Sequence, residues 1–145
     1  MTDGAWDESL ETGNELIDSQ HRELNAFVNE LRTAHVKTDA EYLQVLDKVM
    51  DFALFHFDAE EKLMAQVGYP PYLTQEMVGQ HKEFKAVVRQ CVLEFRKGDM
   101  RSVRHLQVFV EQFLKAHEVG VDKQLADWIR DNDMPSAASN PRGDL

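Results

Sequence analysis

The sequence predicts an all-α fold, an antiparallel up-down-up-down four-helix bundle preceded by an extended N-terminal arm. Three observations carry that expectation. Apolar residues recur every three or four positions over long stretches, as they do on the buried face of amphipathic helices. Strand patterning is almost absent. Pro and Gly cluster at a few places, and the short connections they leave between long helical segments favour antiparallel neighbours.

Taken in order, the first helix is expected over 14–36, where Ile17, His21, Leu24, Val28, Leu31 and His35 alternate steps of four and three. "TDAEY" puts Thr38 or Asp39 at an N-cap and starts a second helix over 39–66. Its inward stripe is Leu46, Val49, Ala53, His56, Glu60, Leu63 and Val67. "VGYPPY" stops it, because Gly68 suits the position after a helix and Pro70 with Pro71 cannot continue one. The third helix, over 72–97, carries Met77, His81, Phe84, Val88, Cys91 and Phe95 inward. Gly98 ends it, and Asp99 caps a fourth over 100–130, with Leu106, Phe109, Phe113, His117 and Gly120 on its stripe. "DNDMPSAASNPRGDL" reads as a frayed tail, so the expected division is one bundle over 1–131 and a flexible segment over 132–145.

Composition narrows the function classes. With 145 residues and 43% hydrophobic content, one core is expected. A formal charge of −10 argues against nucleic acid and anionic membranes, which select for Lys and Arg patches. No apolar run approaches a bilayer span, and "MTDGAWDESLETG" has neither a basic nor an apolar leader region. The one cysteine, Cys91, beside Val88, Val92 and Phe95, suggests a buried thiol in a reducing compartment, and a cytoplasmic monomer is expected. Asp7, Glu8, Glu11, Glu30 and Asp47 read as a solvated acidic face.

Every helix thus places a histidine on its buried seam, and the second adds Glu60 one turn after His56. A single histidine on an apolar face is ordinarily a hydrogen-bonded core residue. A buried carboxylate, by contrast, costs several kcal/mol unless it is paired or bound to metal. A metal answers both, compensating the carboxylate for lost water and using the free lone pair of each neutral imidazole. Bundle cores hold pairs of iron or manganese ions in this way. Imidazole with carboxylate suits iron, and the missing thiolates count against structural zinc.

The segments "WDESLETG", "LIDSQHREL", "HFDAEEKLM", "YP" followed by "HKEF", and "HEVGVDKQL" resemble the hemerythrins, particularly the single-domain bacterial ones, over residues 6 to about 129. The resemblance implies two iron ions, Fe2+/Fe3+ and oxo- or hydroxo-bridged, that bind dioxygen reversibly. It implies His21 and His56 on one iron, the one open to dioxygen, His81 and His117 on the other, and Glu60 and Asp122 bridging. The family's usual fifth histidine, one turn before His81, is here Met77. A thioether is a poor donor to iron, so Met77 is expected to pack beside the metal, while Glu76 and Gln80 lie off the face of His81.

Asp122 follows His117 by five residues, which on a regular helix turns it about 140° away. A π-bulge near Val119 to Val121, eased by Gly120, would bring the two together. Otherwise Asp122 is a solvated acid beside Lys123. Leu24, Phe27, Phe57 and Leu114 are expected to line a dry oxygen pocket, with Phe55 a further apolar neighbour. His35 reads as a seam residue near a helix end, and His105 as surface.

The leading expectation is a non-enzymatic dioxygen-binding protein for carriage, storage or buffering. The alternatives are a di-iron sensor of oxygen, redox state or NO; an enzyme handling peroxide or NO, favoured if Met77 leaves one iron short of donors; and a metal-storage or purely structural bundle.

Overall fold

The computed structural model describes residues 10–33, 38–96 and 100–132. Helix α1 spans Glu15–Thr33, α2 Asp39–Val67, α3 Pro71–Arg96 and α4 Met100–His117. The last runs without a break through a π-helical turn, Glu118–Asp122, into α5, Lys123–Asp131. There is no strand among the described residues, and the helical segments make a four-helix bundle in which α1 packs on α2, α3 on α4, and α2 meets α3.

Local chemistry sets the helix ends. Asn14 accepts the Ile17 N–H at 3.1 Å, satisfying a first-turn donor of α1. Asp18, buried in the same turn, accepts both the backbone N–H and the hydroxyl of Thr12 at 2.8 Å and ties the preceding segment down. Of the two candidate caps for α2, Thr38 is the one used, with Glu41 closing a capping box. Gly68 ends that helix in the left-handed region at φ 71°, which favours glycine, and its N–H returns to the Met64 carbonyl. Pro71 opens α3, where its missing N–H leaves no helical bond unmade.

Two apolar clusters fill the interior. One joins Leu24, Val28, Leu31, Tyr42, Leu46, Ala53, Phe57, Phe84, Val103, Val110 and Leu114. The other joins Leu16, Ile17, Leu63, Met64, Val67, Met77, Val121 and Leu125. Along each chain segment the buried polar residues fall between them: His21 follows Ile17 and precedes Leu24, Glu60 precedes Leu63, His81 lies between Met77 and Phe84, and Asp122 precedes Leu125. A polar layer therefore crosses the bundle between two dry ones.

The expected stripe of α2 matches the buried residues, as does that of α1 from Ile17 to Leu31; on α3 Met77, His81 and Phe84 are buried and Val88 half-buried, and the stripe of α4 needs correction. Val103, Leu106, Val110, Leu114 and His117 are buried, whereas Phe109 and Phe113 are half-buried and Gly120 is exposed. The aromatics reach inward from the flank, Phe113 lying 5.2 Å from Phe84 between ring centres, so their size rather than their position drew them into the predicted seam. Cys91 is half-buried, not enclosed; partial burial and the Glu94 carboxylate push its thiol up. His105 is at the surface, as are Glu11 and Asp47, and Glu30 is half-buried facing Lys48. The N-terminal arm over the first nine residues, His35, the Gly98–Asp99 turn and the tail from 133 lie outside the described residues. Among those described, no helix is long and apolar enough to cross a membrane.

Candidate metal centre

Each helix delivers its polar residues to one level of the bundle. His21 comes from α1, His56 and Glu60 from successive turns of α2, His81 from α3, and His117 from the end of α4. All are at most 1% exposed, as is Asp122. Asp122 arrives through the π turn: with about one residue more per turn than an α-helix, the interval of five from His117 becomes a single revolution, and Asp122 Oδ1 lies 2.9 Å from His117 Nε2. The expected bulge is present, and Asp122 is no solvated acid.

The front nitrogens and the two carboxylates form two overlapping groups that could hold metal ions, one of His21, His56, Glu60 and Asp122, the other of Glu60, His81 and His117. Asp122 Oδ2 lies 2.8 Å from His21 Nε2 and 2.9 Å from His56 Nε2. Glu60 Oε1 lies 3.2 Å from His81 Nε2 and 3.1 Å from His117 Nε2, while its Oε2 lies 3.4 Å from His56 Nε2. Both carboxylates thus reach both groups. Neighbouring donors on one ion, at bonds near 2.1 Å and angles of 90–110°, are about 3.0–3.4 Å apart, and these spacings are of that size.

The rear nitrogens have partners of their own. His56 Nδ1 donates to Gln20 Oε1 at 2.7 Å, His81 Nδ1 to Glu61 Oε2 at 2.7 Å, and His117 Nδ1 to Gln80 Oε1 at 2.9 Å. Oxygens only accept, so each Nδ1 carries hydrogen, and a neutral ring then turns a bare Nε2 lone pair to the centre. Gln20, Glu61 and Gln80 were not anticipated from the sequence. Each sits beside a ligand candidate on one helix and serves the imidazole of the next, a register visible only afterwards. Gln80, off the face of His81 as expected, orients His117, and Glu76 is exposed. Glu118, next to His117, is buried near His21, but takes two hydrogen bonds from Asn25.

Electrostatics expose what the site lacks. Burial holds His56 down to about 4, with Asp122 pulling the other way, and His81 down to about 4 against the pull of Glu61. A neutral His56 with its proton on Nδ1 faces Asp122 Oδ2 at 2.9 Å, lone pair to lone pair, and His81 Nε2 faces His117 Nε2 at 3.3 Å. Only a proton or a cation between them makes such contacts stable. Burial works to lower His117, but Asp122 and Glu60 outweigh it and push the imidazole up to about 10. Burial, then the neighbouring Asp122 charge, holds Glu60 well above the usual carboxylate range, while Asp122 is held well below it, burial being outweighed by His117 and hydrogen bonds. Glu60 Oε2 and Asp122 Oδ1 still have no hydrogen bond, nor has His21 Nδ1; Asp122 Oδ1 is close to His117 but not aligned with it as an acceptor.

The surroundings are apolar and aromatic. Phe57 stacks on His81 at 4.2 Å and 15° and meets His117 edge-on at 5.2 Å, and Phe113 stacks on His117 at 5.7 Å and 16°. Leu24, Phe57 and Leu114 are buried in the cluster on this side, with Phe27 half-buried against it. Met77, 1% exposed, packs in the opposite cluster.

A family model described as the hemerythrin HHE cation binding domain matches residues 12–129. A bacteriohemerythrin of Stenotrophomonas maltophilia is 32% identical over 126 residues, 86% of this chain and 80% of that protein. One of Pseudomonas aeruginosa is 32% identical over 95 residues, 65% of this chain and 61% of that protein. One of Clostridium acetobutylicum is 27% identical over 130 residues, 84% of this chain and 98% of that protein.

Proposed function

The chain belongs to the hemerythrin family, and on that premise we propose that it is a non-haem di-iron protein that binds dioxygen reversibly, for carriage, storage or buffering. The observation that carries the reading is the convergence of buried donors: four imidazoles turn Nε2 toward two carboxylates at 2.8–3.4 Å, with carboxylate oxygens left without a hydrogen bond. Two divalent cations satisfy that arrangement and two apolar layers do not. A donor set without thiolate counts against structural zinc, the nitrogens count against magnesium or calcium, and imidazole with carboxylate suits iron.

In this reading His21 and His56 would hold one iron, His81 and His117 the other, with Glu60 and Asp122 shared between them. An iron pair bound there would supply the electrons for reversible dioxygen binding. The protein's part is placement and dryness. Gln20, Glu61 and Gln80 fix ring orientation and tautomer through the rear nitrogens. Leu24, Phe57 and Leu114, with Phe27 at the edge, would keep water and its protons away from the ligand. The short connections at 34–38, 68–70 and 97–99 support an antiparallel up-down-up-down course, and the lone cysteine supports a cytoplasmic setting. We take the protein to act as a monomer. Peroxide or NO handling is the second reading, favoured by Met77 standing one turn from His81 where a third imidazole would complete that iron's donors.

Iron per chain, with visible spectra of reduced protein before and after air, tests this. Two irons and a band that appears with air and fades on deoxygenation support carriage. Bleaching with consumption of peroxide supports the enzyme. A chain that takes up no iron refutes both.

A further inference from the structure

We propose that both metal positions, rather than one, keep a coordination place free, and that the iron-loaded protein takes two small monoanions per chain, one on each ion. The inference rests on the di-iron reading above and concerns the His81 side. Its ground is the donor count. One set comprises His21 Nε2, His56 Nε2, Asp122 Oδ2 and Glu60 Oε2; the other comprises His81 Nε2, His117 Nε2, Glu60 Oε1 and Asp122 Oδ1. Each therefore has two nitrogens and two carboxylate oxygens. Iron in an imidazole and carboxylate site is octahedral and leaves open whatever the protein does not fill. With a solvent-derived bridge shared between the ions as fifth donor, each ion retains a sixth place.

Among the described residues, no further His, Cys, Asp or Glu beyond the two carboxylates joins His81 and His117. A third nitrogen from α3 would have to stand three or four residues from His81, at 77, 78, 84 or 85. Met77, Val78 and Phe84 have none to offer, and Lys85 is exposed. Met77 lies among Leu16, Ile17, Leu63, Val67, Val121 and Leu125, whose side chains offer no donor, and its thioether is too soft for iron; Tyr69, the phenol of the same cluster, packs edge-on against Trp128 at 5.4 Å between ring centres. Glu61 and Gln80, the polar groups beside His81 and His117, accept from the rear of those rings and so point away from the ion.

The charge selects the ligand class. Two ferric ions bridged by oxide and the Glu60 and Asp122 carboxylates retain two positive charges in a layer at most 1% exposed. Buried charge is costly unless it is compensated. One monoanion per ion cancels it.

The test uses the oxidised, iron-loaded full chain titrated with sodium azide, following the azide-to-iron band and counting azide bound at saturation per two irons. Two azides are expected for wild type and for Met77→Leu, and one for Met77→His, in which the added imidazole fills the place. Wild type saturating at one azide with two irons bound overturns the proposal alone. One azide in wild type but two in Met77→Leu shows the thioether filling the place, and overturns it as well. Two azides in Met77→His refutes the placing of the free position beside residue 77. The wild-type and Met77→Leu counts decide the matter even if Met77→His does not fold. Absence of bound iron in wild type defeats the di-iron reading, and this inference with it.

Discussion

Replacing Glu60 by Gln separates what the carboxylate does for metal from what it does to the metal-free fold. Glu60 is 1% exposed, with Asp122 beside it, and burial followed by that neighbouring charge holds its carboxyl well above the usual carboxylate range. The folded, metal-free protein therefore keeps a proton on Glu60 at pH values where the unfolded chain has released it. A folded state that binds the extra proton loses stability as pH rises, from the unfolded value near 4.5 upward, until the folded carboxyl ionises too. The slope for one proton is about 1.4 kcal/mol per pH unit. Glu60→Gln has the same shape and no proton to lose, so it escapes that penalty. The metal-free variant should match wild type near pH 4.5 and exceed it by about 1.4 kcal/mol for each pH unit through that window. At roughly 3–5 °C per kcal/mol for a chain of this size, the difference is readily seen in thermal unfolding followed by circular dichroism. Iron tells the opposite story: the variant loses a bridge and a negative charge, and iron per chain after dialysis should fall from two toward none. A variant less stable than wild type at pH 6 that still retains two irons would refute both the protonated Glu60 of the metal-free fold and its role as a bridge.

Gln20→Ala, Glu61→Ala and Gln80→Ala should each raise the iron dissociation constant about 10–100-fold, because each frees a ring that it now fixes; unchanged affinity in a chelator competition would show that packing alone orients the rings. Phe57→Ala should destabilise the fold by about 3–5 kcal/mol, since a fully buried ring stacked on His81 is removed, and the denaturation midpoint reports it. Iron uptake should release protons, because His117, pushed up to about 10, holds one in the metal-free protein at neutral pH, and burial shifts Glu60 in the same direction. Affinity should then rise with pH, and a pH electrode in weakly buffered solution that records no acidification on loading would contradict that state.

The helices and most of the metal centre were legible because they follow from local rules. Steps of three and four residues fix which side of α1 and α2 faces inward whatever the partner, so Ile17, His21 and Leu24, or Ala53, His56 and Glu60, could be placed together. Thr38 and Gly68 could be read as ends because capping is satisfied within one turn. The same rule misled on α4, where Phe109 and Phe113 look like core by size, while the smaller Val110 and Leu114 occupy the seam.

By itself, then, the sequence determined four amphipathic helices and the placing of four imidazoles and Glu60 on their inward stripes, since helical periodicity is a property of the chain alone. Even the π turn could be expected once the family resemblance put Asp122 beside His117, because an interval of five residues requires it and Gly120 eases it. What the tertiary structure alone decided is every relation across helices: that Asp122 Oδ2 meets both His21 and His56, that Glu60 reaches two sets of nitrogens, and that Gln20, Glu61 and Gln80 each hold a ring of the neighbouring helix. Those contacts depend on the axial offset between packed helices, where one residue of slip moves a side chain 1.5 Å along the axis and about 100° around it. Such offsets are set by how Phe57, Phe84, Leu114 and their opposite cluster fill the interior together, and no single stretch of sequence records that packing.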